Sequence, residues 1–363
     1  MKSTNSYIVQ LDGLRFFAIF MVMIAHWAQW QFNHPVINGF PFTHGVTLFF
    51  VLSGFLITDI LLKNKIKYED SYQPKKYLLK SFYIRRFLRI FPIYYLTIFL
   101  LYFIKYQNTQ DIFPWLVTYT SNIYQSIHNI GVGDFNHFWS LAVEEQFYLI
   151  WPWLMIFTPN KHIAKVIIFT IILSIASKLY ITIYVQKWMA NSYFTLSCMN
   201  SLGLGALLAY WAIYKKNILD FFLKSYWVLG SIVLYFAIHY FSLFKQWDWY
   251  IVILDEFIFS IMAAIIINYA SKNKFKHIFK YILENKFIVY CGKISYGLYV
   301  YHLFIPALFW FIAPYIGLNV TNKYTLFVFY FGLTFVIAHL SWKIIESPIN
   351  SLKRKFPYFG KEE

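Results

Sequence analysis

The chain has 363 residues, of which 59% are hydrophobic, 23% aromatic and only 13% charged, and it carries a net charge of +16. A soluble globular domain carries about 25% charged residues, so most of this surface is expected to face something other than water. The basic residues lie between apolar runs rather than on one patch, which argues for membrane topology and against nucleic-acid binding.

Apolar runs near the length of a bilayer crossing recur along the chain at about 11–29, 44–62, 86–105, 138–157, 163–184, 194–214, 222–243, 250–270, 290–313 and 324–344. They predict an all-α, polytopic bundle of about ten transmembrane helices. The first run holds Asp12 and Arg15 and no small-residue cleavage site follows it cleanly, so it reads as a retained helix and not as a signal peptide. The stretch 106–137 is long for a loop, and its amphiphilic part, Ile112 to Ile127, is expected to be interfacial or re-entrant.

Charge sets the expected orientation. With the N-terminus in the cytoplasm, the inner segments hold 24 Lys and Arg and the outer loops hold four, Lys105, Lys187, Lys245 and Lys323. This asymmetry predicts both termini inside, and an eleventh crossing at 112–127 would break the alternation. Cys198 and Cys291 lie within or beside apolar runs, which argues against a disulfide framework. The chain is expected to be one transmembrane domain over 1–363 with a short basic tail at 347–363 and no extracytoplasmic hydrolase-like domain.

Ionisable groups inside spans are costly and carry functional weight. In the first helix, His26 follows Arg15 by eleven residues, which places both within about 20° of one face and about 16.5 Å apart along the axis. Asp12 falls on the same stripe. The plainer reading is an Asp12–Arg15 pair at the membrane edge with His26 in the core. The run SFYIRRFLRIFPIYY clusters Arg85, Arg86 and Arg89 where the chain enters the bilayer. Guanidinium forks suit phosphates, although a positive-inside anchor has the same composition. HFWSLAVEEQFYLIWP sets the adjacent carboxylates Glu144 and Glu145 into an aromatic span, and burying either requires a partner. Ser53-Gly54 sits in the second span, where glycine permits close helix approach.

Taken together, these segments resemble the acyltransferase 3 family of membrane O-acyltransferases. The likeness rests on LDGLR at 11–15, the spacing of Arg15 and His26, FFVLSGFLI at 49–57, RRFLRIFP at 85–92 and WSLAVEEQFYLIWP at 139–152. Weaker echoes are ISYGLYVYHLFIP at 294–306 and IESPI at 345–349. The resemblance implies transfer of an acyl group, with acetyl as the default, from cytoplasmic acyl-CoA to a hydroxyl of a cell-envelope sugar or lipid-linked saccharide. It implies a multi-pass protein of the cytoplasmic membrane, with acyl-CoA as co-substrate, no permanently bound cofactor and no metal. Carried over by motif, His26 is catalytic with Arg15 as its partner, joined by Asp12 and Glu144. Arg85, Arg86, Arg89 and Ser53 serve acyl-CoA. Trp139, Glu145, Tyr299, His302 and Glu346 are acceptor or structural residues. The rival readings are a transporter or flippase, with Arg15, His26 and Glu144 as a proton relay, and a membrane scaffold without activity. Many transporters carry internal repeats, and none is visible in this sequence.

Overall fold

The structure is a computed structural model that describes residues 7–31, 33, 37, 39–244 and 249–359. Asn38 and Lys245 of the expected outer loops, and Lys2 and Lys361 of the expected inner ends, lie outside the described residues. The described residues fold mainly as helices, and the α-helices of seven or more residues are α1 (Val9–Ile24), α2 (Gly45–Asp70), α3 (Lys76–Phe103), α4 (Thr109–Val117), α5 (Ser121–His128), α6 (Phe138–Phe157), α7 (Ile163–Tyr180), α8 (Thr195–Tyr214), α9 (Ser225–Phe244), α10 (Trp249–Ser271), α11 (His277–Leu283), α12 (Lys286–Lys293), α13 (Ser295–Tyr301), α14 (Ile305–Ile312) and α15 (Lys323–Ser341). No strand occurs among the described residues.

Among the described residues, seven helices are long and apolar enough to cross a membrane, and eight if α13 and α14, bent by 65° at their junction, form one span. The expected spans at 138–157 and 222–243 also correspond to helices, α6 and α9, each of 20 residues. The helices that carry the functional residues run longer than the apolar runs. α2 has 26 residues and α3 has 28, about 40 Å each at 1.5 Å per residue. Lysines of Lys63–Asp70 and Lys76–Lys80 are good helix formers, so α2 continues past the apolar run to Asp70, where the chain turns at Tyr72, φ 55, before α3 begins.

The stretch 106–137 contains two helices of nine and eight residues. At about 13 Å each they are too short to cross. The turn between them reaches the middle of its neighbours. Tyr94 and Tyr95 of α3 donate to the carbonyls of Leu116 and Val117 at 2.8 Å, and Gln146 of α6 donates to that of Tyr119 at 2.7 Å. The two ends of the stretch meet again, where the hydroxyl of Tyr106 and the amide of Gln107 both bond the Asp134 carboxylate. The stretch is a hairpin of two short helices, whose turn carbonyls are satisfied by side chains of α3 and α6.

The expected span at 290–313 is broken rather than continuous. α13 stops at Tyr301 and α14 starts at Ile305 with Pro306 in its first turn. At that position the missing N–H of Pro306 costs no helical hydrogen bond, and its fixed φ suits the start of a new helix. Contacts without side chains hold the bundle close around these elements. A Cβ on Gly54 of α2 would overlap the Leu202 carbonyl of α8, and one on Gly205 of α8 would overlap the Val51 carbonyl of α2. A Cβ on Gly292 would likewise overlap the Asp12 carbonyl of α1. Small residues that allow backbones to touch are a main source of helix association in lipid.

Candidate active site

Two cavities lie end to end between α1, α2, α6 and α13. The first, about 180 Å³, is lined by Arg15, Arg86, Arg89, Ser53, Glu144 and Tyr296 among others. The second, about 550 Å³, is lined by His26, Gln29, His44, Trp139, Tyr193 and Asp255 among others. Val46, Phe50 and Tyr299 belong to both walls and form the partition between them. The molecule thus has an arginine cavity and a histidine cavity separated by one layer of side chains.

In the arginine cavity, Arg15 forms an ion pair with Asp12, one turn earlier on α1, and Tyr7 donates to the same carboxylate. The i, i+3 spacing on a helix brings the pair together. Ser53 donates to Glu144 at 2.7 Å, and Tyr148 donates to Ser53 at 3.2 Å. Arg86 lies 5.5 Å over the Tyr148 ring, which keeps the guanidinium edge available for polar contacts. Glu145 also lines this cavity. Both adjacent carboxylates therefore serve one site, because α6 enters the cavity wall with its Glu144–Glu145 edge.

The three arginines do different things. Arg86 and Arg89 line the cavity. Arg85 points the other way, donating at 3.1 Å to the carbonyls of Lys353 and Phe356, with the Tyr358 ring 4.6 Å away. It holds the tail following α15 against α3. Glu346 is buried in a π-helical turn at the end of α15 and accepts from Ser341 at 3.4 Å. It packs against Gly297 of α13 and lines neither cavity.

His26 stands in a second π-helical segment, Ala25–Gln31, that continues α1. Such segments are frequent at functional positions because the extra residue per turn re-aims side chains. Its Nδ1 lies 2.9 Å from the Val22 carbonyl and 3.1 Å from His302 Nε2. Arg15, about 16.5 Å away along α1, pairs with Asp12 instead, so the structure does not bring Arg15 and His26 together. His302 is fully buried, and its Nδ1 lies 2.7 Å from the Tyr299 carbonyl. The Tyr299 hydroxyl donates to the His137 carbonyl at 2.9 Å and contacts Ser140 at 2.5 Å.

A carbonyl accepts only, so His302 carries its proton on Nδ1 and offers a lone pair on Nε2. His26 Nδ1 then faces two acceptors and carries its own proton. The remaining nitrogen of His26, Nε2, holds the basic lone pair.

Of the rest of the histidine cavity wall, the sequence singled out Trp139 and Tyr299 but not Tyr193, His44, His239 or Asp255. Trp139 stacks on Tyr193 at 4.3 Å and 15°, with Trp188 edge-on to Tyr193 at 5.5 Å. Asp255 of α10 accepts from His44 at 2.8 Å and pairs with His239 at 3.0 Å. Glu256, next to it, forms an ion pair with Lys178 of α7. Asp255, Glu256 and Lys178 are ionisable residues inside apolar runs, and that signal was available. His44 and Tyr193 carried no such signal, since each lies near the edge of a run. Among the described residues no group of three or more His, Cys, Asp or Glu side chains is arranged to hold a metal ion.

Comparison with known proteins gives a concordant result. The profile of the acyltransferase 3 domain family, described as an acyltransferase domain, matches residues 8–343. A Staphylococcus aureus (strain COL) protein whose name describes an O-acetyltransferase is 31% identical over 372 residues, covering 94% of this chain and 57% of its own length. The O-acetyltransferase OatA of S. aureus (strain NCTC 8325 / PS 47) is 28% identical over 376 residues, covering 98% of this chain and 58% of its own. The chain thus spans under three fifths of the length of these relatives. No solved structure matches.

Proposed function

The chain belongs to the acyltransferase 3 family, and on that footing we propose that it is a membrane O-acyltransferase that carries an acetyl group from acetyl-CoA to a saccharide hydroxyl. The observation that carries this reading is the pair of cavities meeting at Val46, Phe50 and Tyr299, with arginines in one and His26 in the other. Coenzyme A is anionic at its nucleotide end and bears its thioester on a long flexible arm. Arg86, Arg89 and Arg15 suit the phosphates. The arm then passes the partition and presents the thioester to His26.

The acceptor occupies the histidine cavity. His26 Nε2 takes the proton of the attacking hydroxyl as its oxygen bonds to the thioester carbonyl carbon. The carbon–sulfur bond breaks, the coenzyme leaves as a thiolate, and the proton held by His26 passes to it. Acceptor ester and free CoA result. The Trp139–Tyr193 stack and the polar groups of His44 and Asp255 are a wall of the kind that carries sugars: flat rings for the apolar face of a pyranose and polar groups for its hydroxyls. The names of the relatives support acetyl as the transferred group.

The orientation follows from charge. With ten crossings and both termini in the cytoplasm, 24 of the basic residues lie inside and four outside. Arg86 and Arg89 then open toward cytoplasmic acetyl-CoA and His26 toward the envelope, so the acetyl group crosses the bilayer inside the protein.

The deciding experiment replaces His26. His26→Ala and His26→Gln both lose the base and are expected to turn over acetyl-CoA about 10²–10⁴-fold more slowly. Both retain donor binding, which belongs to the other cavity. A folded His26→Ala protein working at the parent rate overturns the mechanism.

A further inference from the structure

We propose that His302 is a positioning residue for acyl transfer, holding the Nδ1–H of His26 so that the basic Nε2 is kept at the histidine cavity. This inference rests on the reading of His26 as the general base. α13 ends at Tyr301, so its last carbonyls lose their helical donors. His302 N still bonds Leu298 O at 3.2 Å, and Phe304 N bonds Tyr301 O at 3.0 Å. Tyr299 O is taken by the side chain of His302 at 2.7 Å. The broken helix therefore does two things at once. It frees the carbonyl that fixes the His302 tautomer, and it sets His302 at the junction where α13 and α14 meet at 65°, with the ring against His26 of the α1 continuation.

The ring that results has one orientation. His302 is fully buried, with the edge of His137 at 4.8 Å and 74° and Trp27 at 6.2 Å. His137 is itself tied to the Val300 carbonyl at 3.1 Å. His302 Nε2 is thus a fixed acceptor 3.1 Å from His26 Nδ1. When His26 takes up the acceptor proton, its Nδ1–H becomes the donor of a charge-assisted hydrogen bond to that nitrogen. A neutral acceptor accomplishes this in a dry span without a permanent buried charge, whose desolvation is costly.

The competing explanation is that the Val22 carbonyl, 2.9 Å from the same nitrogen, orients His26 alone. Two variants of the full chain separate the explanations, with acetyl-CoA as probe. His302→Leu removes the acceptor and keeps an apolar side chain of similar bulk. His302→Gln restores an amide whose oxygen accepts from His26 and whose nitrogen donates to Tyr299 O. The expected result is a kcat lowered roughly 10²-fold in His302→Leu, an unchanged Kd for acetyl-CoA, and recovery by His302→Gln to within roughly tenfold of the parent. The inference is overturned if His302→Leu turns over at the parent rate while His26→Ala is inactive, or if both His302 variants bind acetyl-CoA normally and are equally impaired. A fully active His26→Ala protein removes the function reading and this inference together.

Discussion

The three arginines of α3 give the sharpest test of the donor cavity, because neighbours in sequence are assigned opposite tasks. Arg86 and Arg89 line the cavity, whereas Arg85 is committed to the Lys353 and Phe356 carbonyls. A charge-assisted contact to a phosphate contributes about 1.5–3 kcal/mol. Losing one therefore raises the Kd for acetyl-CoA roughly 10- to 150-fold. Arg86→Ala and Arg89→Ala are expected in that range by calorimetric titration of the purified protein, while Arg85→Ala keeps the parent Kd. The last variant instead loosens the tail, and limited trypsin digestion is expected to cleave after Lys353–Lys355 sooner than in the parent. Equal weakening by Arg85→Ala and Arg86→Ala refutes this division, and unchanged affinity in all three returns the cluster to a topology anchor.

The remaining expectations concern packing, topology and the acceptor wall. Gly54→Val places a side chain on the Leu202 carbonyl; overpacking of this kind costs about 1–3 kcal/mol, to be read as a lowered midpoint of thermal unfolding in detergent, and unchanged stability contradicts the close α2–α8 contact. A reporter fused at Asn129, the exit of the hairpin, is expected on the outer side, with reporters at Lys65 and Lys276 on the inner side; a cytoplasmic Asn129 reporter means the hairpin crosses. Trp139→Ala removes half of the ring stack with Tyr193 and is expected to raise the acceptor KM about fivefold, for about 1 kcal/mol, with donor Kd unchanged; a parental KM places the acceptor elsewhere.

Much of the architecture was legible because a bilayer leaves few choices. Apolar runs become helices, and the runs at 138–157 and 324–344 coincide closely with α6 and α15. Hydropathy does not report where a helix ends once it leaves lipid, so α2 and α3 exceed their runs. It also does not separate one helix from two collinear apolar pieces. Pro306 alone did not mark the break in 290–313, since Pro92 and Pro152 lie inside the unbroken α3 and α6, and the paired short helices at 109–128 follow from no single residue. In the site, Asp12 with Arg15 was readable as a local i, i+3 pair. The grouping of Ser53, Glu144, Arg86 and Arg89 was readable only through the family motifs, since those residues lie on three helices. The contact of His26 with His302 joins positions 276 residues apart, and no local period encodes it. The Arg15–His26 partnership, implied by resemblance, gives way in the structure to Asp12 for the one and His302 for the other.

The central claim is that these two cavities perform group transfer and not transport. Purified protein in detergent, where no gradient exists, is given acetyl-CoA and an envelope saccharide fraction, and released CoA is followed with a thiol reagent. The account predicts CoA release that depends on the saccharide, disappears in His26→Ala and is accompanied by an acetyl ester on the saccharide. A well-folded protein that binds acetyl-CoA yet releases no CoA, while coupling solute movement to a proton gradient once reconstituted in vesicles, contradicts it.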